Sequence, residues 1–238
     1  MGNPCSSLIE ANRLGYWSAI LTVVFAVAFL GIGFFGSSYT EGILKYPYVL
    51  TVIRPIDYAV WYPAFFLALT LVVLTACIHR QTPIDEKVFS LIALSFAVIY
   101  AALTVSDFFI QWTVVLPSIL SNETADLSLF SIYNPHGFPI AIESLGYLML
   151  NTSLLFLAVV FGGKSRIERA IRLFFVVGFV LVVGSFGVLS LASYPIVVFE
   201  VVAITINVVV LIASGILLSI FFERKRMRLV SDKTAIEV

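Results

Sequence analysis

Six stretches of this chain, residues 14–36, 57–78, 88–115, 138–162, 173–191 and 196–222, contain no lysine or arginine and consist mostly of aliphatic, aromatic and small residues. A helix of about 20 such residues covers the ~30 Å hydrocarbon core of a bilayer. Lipid cannot satisfy open backbone hydrogen bonds, so only helices and closed barrels can span it. The ten-residue alternation of a barrel strand is absent. The sequence therefore predicts an all-α polytopic membrane protein, a six-transmembrane-helix bundle. Composition agrees: 61% of the residues are apolar and 12% charged, against about 45–50% and about 25% in soluble domains. Nucleic-acid binding is excluded, because few of the 14 basic residues stand clear of the membrane boundary. Two distant cysteines, Cys5 and Cys77, exclude a disulfide scaffold.

Lysine and arginine set the orientation. With the N-terminus inside, the inner segments carry Arg13, Arg80, Lys87, Lys164, Arg166, Arg169 and Arg172, and the tail adds Arg224, Lys225, Arg226, Arg228 and Lys233; the outer segments carry Lys45 and Arg54. Both termini are thus expected in the cytosol. The expected division is a cytosolic lead over 1–13, one transmembrane domain over 14–222 and a basic cytosolic tail over 223–238. Outer loops fall at 37–56, 116–137 and 192–195, and inner loops at 79–87 and 163–172. Within the longest outer loop, 125–133 is expected to form a short surface helix ahead of the turn Asn134-Pro135-His136-Gly137. Gly178, Gly184 and Gly187 would let the fifth span pack closely on a neighbour.

Ionisable side chains inside a span are costly and mark functional candidates. Four carboxyls qualify, Asp57, Asp107, Glu143 and Glu200, and the assigned topology puts all four in the outer leaflet. Helical spacing aligns them with other polar residues. Tyr100, Thr104, Asp107 and Gln111 make one stripe, Glu143, Tyr147 and Asn151 a second, and Glu200, Asn207 and Ser214 a third; Arg54, Asp57 and Trp61 share a face at the start of the second span. These stripes, with His136 in the loop above, are expected to line an outward-opening pocket, acidic at its mouth and walled by aromatic and aliphatic groups. The competing reading is a polar network that only holds the fold: Asp107 paired with Arg54, and Asn151 and Asn207 acting as interhelical glue.

Specific chemistries are mostly absent. One histidine among the outer carboxylates, without ligand spacing, does not make a metal site. His79 and His136 lie a membrane thickness apart, which rules out haem between them, and no span contains a lysine for a retinal Schiff base. There is no H-E-x-x-H or G-x-S-x-G motif, so no reaction is assigned, although an acid–base pair drawn from Asp107, Glu143 or Glu200 is chemically open. No cofactor is expected. Met1-Gly2-Asn3-Pro4-Cys5-Ser6 fits a lipidation pattern and Asn122-Glu123-Thr124 a glycosylation sequon, both read only in eukaryotes.

The run Asp107-Phe108-Phe109-Ile110-Gln111-Trp112-Thr113-Val114-Val115-Leu116-Pro117-Ser118, followed by Asn134-Pro135-His136-Gly137 and Glu143-Ser144-Leu145-Gly146-Tyr147, resembles an uncharacterised prokaryotic six-span integral membrane protein family. The resemblance implies a bacterial or archaeal inner membrane and carries no activity. The functional expectation is a membrane protein that binds a small amphiphilic or lipid-like ligand in the outer pocket. The alternatives are a proton- or cation-coupled transporter using the same carboxylates, and an accessory subunit with a structural polar network. The partners expected are membrane lipids and that ligand.

Overall fold

The computed structural model describes residues 4–35, 59–121, 123, 127–132, 134, 136–163, 165–194 and 196–236. Arg54, Asp57, Lys45, the Gly2 lipidation position and the sequon residues Asn122 and Thr124 lie outside the described residues. The described residues fold as α1 (Pro4–Phe35), α2 (Trp61–Gln81), α3 (Lys87–Ile110), the short α4 (Leu116–Leu120), α5 (Phe138–Val160), α6 (Arg166–Leu191) and α7 (Ile196–Ile236). A π turn, Gln111–Val115, joins α3 to α4, so the third span runs unbroken from Ile84 to Leu120. Among the described residues, six helices are long and apolar enough to cross a membrane.

Local chemistry sets the helix ends. Pro83 disfavours helical geometry at the residue before it, and Thr82 is accordingly extended, with ψ of 133°, which stops α2. Gly137 and Pro139 open α5, where the imide costs no helical hydrogen bond. Ser165 and Glu168 form a reciprocal capping box at the start of α6. Just before it, Gly163 takes φ of +82°, a conformation open to glycine at little cost.

Helices run past the apolar stretches at the basic end of the bundle. Helix α6 starts at Arg166 rather than 173, and α7 continues to Ile236 rather than stopping near 222. Hydropathy marks where the apolar stretch ends, whereas the capping box and the helix-forming Glu223–Arg228 run carry the helical hydrogen bonds onward. Arg226 pairs with Glu223 at 2.6 Å on this extension. In the long loop the expected surface helix is a 3-10 turn over Leu127–Phe130.

Each spanning helix packs on the next in chain order, and α7 closes the ring on α1. Helix α5 also touches α7 directly. That contact pushes α6 to the outside, where it is the least buried of the spanning helices. The α1–α7 seam depends on small residues: a Cβ at Gly215 would fall 2.7 Å from Val23 Cγ2 and 3.2 Å from the Ala19 carbonyl, and one at Gly15 would enter the Phe222 ring. On α6, a Cβ at Gly178 would lie 3.0 Å from Val210 Cγ2, while Gly184 and Gly187 meet nothing within 4 Å. Only the first of the three glycines in the fifth span therefore has the packing role expected of it. Between α3 and α5, Ser153 Oγ donates to the Ala93 carbonyl at 2.7 Å. At the basic end, His79 Nδ1 and Ser90 Oγ, 2.8 Å apart, tie α2 to α3.

Candidate functional site

Tyr100, Thr104, Asp107 and Gln111 share one face of the α3 span, and all four are buried. Glu143, Tyr147 and Asn151 on α5, and Glu200, Asn207 and Ser214 on α7, are buried too. The three stripes therefore turn inward and meet. Asp107, Glu143 and Glu200 are 4%, 5% and 7% exposed. Glu143 and Glu200 lie within hydrogen-bonding reach of each other, and Asp107 is close enough to interact electrostatically with both. The Tyr147 hydroxyl donates to Glu143 Oε1. Asp107 Oδ2 and Glu200 Oε2 receive no hydrogen bond from the described residues, and no lysine, arginine or histidine is buried among them.

One helical turn further along, Asn151 Nδ2 donates to Asn207 Oδ1 and to the Tyr147 carbonyl, both at 2.8 Å. Asn151 Oδ1 and Asn207 Nδ2 are left without partners. Interhelical hydrogen bonds of this kind contribute about 0.6–2 kcal/mol. Either single replacement by leucine strands the other amide, at about 1–3 kcal/mol. Asn151→Leu with Asn207→Leu together is expected to melt higher than either single variant in detergent, a non-additivity that a double-mutant cycle reads directly.

The π turn fixes what lies above the carboxyls. Gln111, fully buried, donates from Nε2 to the Phe130 carbonyl at 2.8 Å and accepts at Oε1 from the Ile132 amide at 3.2 Å. The same Nε2 is 3.4 Å from Asp107 Oδ1. This one side chain straps the loop backbone onto the bundle and faces the carboxyl cluster. Trp61 stacks on Phe108, centroids 6.2 Å apart, and does not itself line the hollow beside Glu143. Asn134 braces the turn from below, donating to the Ser128 carbonyl and accepting from the His136 amide, both at 3.0 Å. The His136 side chain is itself exposed on that turn rather than set among the carboxyls. Gln111→Leu is expected to cost about 1–3 kcal/mol and to raise amide exchange at Ile132 well above that at Leu150, as read by hydrogen–deuterium exchange.

Three hollows run in file along the bundle. The first, about 30 Å³, is lined by Tyr100, Thr104, Glu143, Tyr147 and Asn207 with apolar neighbours. It has room for a water or two. The second, about 10 Å³, begins at the shared Leu211 and is almost wholly apolar, and the hydroxyls of Thr22, Thr75 and Ser214 bond back to their own helices there. The third, about 220 Å³, begins at the shared Ile78 and lies at the basic end. Among the described residues, no group of three or more histidine, cysteine or acidic side chains could hold a metal ion. The sequence pattern missed the strap made by Gln111 and the third hollow altogether. Both depend on segments distant in sequence, the loop carbonyls in one case and the ends of four helices in the other. No known protein family, curated protein or solved structure matches this chain.

Proposed function

We propose that this is a multi-pass protein of a prokaryotic inner membrane that takes up and releases a proton at Asp107, Glu143 and Glu200. In this reading both termini and the basic helix ends face the cytoplasm, as the lysine and arginine bias favours, and the carboxyl cluster sits in the outer half of the bilayer. One observation carries the proposal: three carboxyls converge from three helices, and no basic side chain is buried among the described residues to neutralise them. Uncompensated buried charge is costly, and a bound proton removes it.

A coupled transporter is the extension that the file of hollows favours. The carboxyl side is polar and has space for water, while the tight apolar constriction between Leu211 and Ile78 separates it from the basic end. Alternating access would then be a widening of that constriction. A lipid-like ligand needs more space than about 30 Å³, so the amphiphile reading requires α3, α5 and α7 to separate at the cluster. The test is proton flux into proteoliposomes under an imposed pH gradient, with sodium and potassium gradients as controls, beside the pH dependence of thermal stability of the purified protein. A midpoint that rises as the pH falls supports the binding reading, and proton flux that requires Glu143 and Glu200 supports transport. Neither effect in the folded wild-type protein leaves the cluster as a fold-holding network.

A further inference from the structure

The third hollow has no part in that proposal. It lies where the C-terminal ends of α2 and α5 meet the first turn of α6 and the extension of α7, and its polar lining comes from Gln81, Thr82, Glu86, Glu168 and Lys225. Gln81 is the informative residue. Both its Nε2 and its Oε1 are buried, and neither has a hydrogen-bond partner. A buried amide left unpaired at both ends costs several kcal/mol in total, unless something in the hollow completes it. Thr82 does not serve, because its hydroxyl already donates to the Ile78 carbonyl at 2.8 Å.

The wall is charged in a specific pattern. Glu86 and Glu168 supply two carboxylates, and the ends of α2 and α5 add the negative poles of two helix dipoles. Phe161 and Phe221 meet edge to face at 5.4 Å and give the hollow an aromatic side, which suits an ammonium group. Lys225, its Nζ 4.7 Å above the Phe221 ring, brings a positive charge to the same wall. A cation alone would use the carboxylates and leave the Gln81 donor idle. An anion alone would face two carboxylates.

We infer that this basic-end hollow, built from Gln81, Glu86, Glu168 and Lys225, binds a small zwitterion that joins a primary ammonium to an oxyanion. The ammonium N–H groups meet Glu86, Glu168 and Gln81 Oε1, and the oxyanion meets Gln81 Nε2 and Lys225. Free amino acids and the headgroup of an aminophospholipid share this chemistry. The volume, about 220 Å³, lies below the ~300–1,000 Å³ of drug-sized sites and suits either.

Two arms separate the sources. In lipid-depleted detergent, full-length protein is titrated with glycine or glycerophosphoethanolamine, with ethanolamine and acetate as single-function controls, and its thermal midpoint is followed. In nanodiscs of mixed phosphatidylethanolamine and phosphatidylcholine, native mass spectrometry reads which lipid stays bound. A rise in midpoint with glycine but not with glycerophosphoethanolamine or the controls identifies a soluble amino acid. Preferential retention of the ethanolamine lipid identifies a headgroup, since choline offers no N–H. Gln81→Leu is expected to weaken either effect about tenfold, as loss of hydrogen bonds to a charged partner does. Glu86→Gln, a conservative change at a partly exposed carboxylate, is expected to do the same and serves if the leucine variant does not fold. Three results would overturn the inference: no response in either arm, equal retention of the two lipids without a soluble response, or a response that both variants leave unchanged.

Discussion

Glu143→Gln is expected to abolish the rise in thermal stability that proton binding gives as the pH falls, while the fold is kept. Glutamine is nearly isosteric, its carbonyl can still accept from Tyr147, and its amide can donate to Glu200 across the former carboxyl pair. The change therefore removes charge without stranding a partner. A ligand present at a hundred times its dissociation constant stabilises the folded state by about 2.7 kcal/mol. In a chain of this size that is roughly 5–10 °C in melting temperature. The wild-type protein should show such a rise when the proton concentration reaches that level, and Glu143→Gln should show none while melting no lower than the wild type at high pH. Glu200→Gln should behave alike, because its carboxyl faces the same pair. Equal pH responses in all three proteins would remove the cluster from the proton-binding site.

The second large effect is steric. Gly215→Leu should separate α1 from α7, since the first carbon of the new side chain already falls 2.7 Å from Val23 Cγ2 and 3.2 Å from the Ala19 backbone. A side chain can swing aside, but the carbonyl moves only with its helix. Overpacking in close-packed sites costs about 1–3 kcal/mol, sometimes more. This site carries the closure of the ring, so loss of folded yield is expected along with a fall in melting temperature. Gly215→Ala should show a smaller loss of the same kind. Gly184→Leu is the control, because nothing lies within 4 Å of that position, and its effect should stay within about 0.5 kcal/mol.

The bundle was legible because membrane solvation is a coarse filter: a run of about 20 apolar residues has few folded alternatives. The convergence of the three stripes was legible for a related reason. Once Asp107, Glu143 and Glu200 are placed on helices in an apolar medium, the interior is the one direction that does not penalise them. Helix ends were less legible. Ser165 and Glu168 look like loop by hydropathy, yet together they start a helix, because capping depends on single hydrogen bonds that composition does not weigh. The π turn at Gln111 was only half legible. Pro117 has no N–H for the Thr113 carbonyl and its ring crowds that carbonyl, so regular α-helix is strained there, but the form of the adjustment depends on a loop backbone more than fifteen residues away in sequence. Gln81 was overlooked because a glutamine at a membrane boundary is ordinary until its amide is found buried and unpartnered.

Helix α7 spans 41 residues without interruption, from Ile196 to Ile236. At about 1.5 Å per residue it is a rod of some 60 Å, roughly twice the thickness of a hydrocarbon core. Its far end therefore moves as a lever: a tilt of a few degrees where α7 passes the carboxyls becomes a displacement of several ångströms at the tip. A spectroscopic label or a helical fusion partner joined in phase there would inherit the rod's orientation. Motions at the buried cluster too small to resolve locally would then be read at a distance.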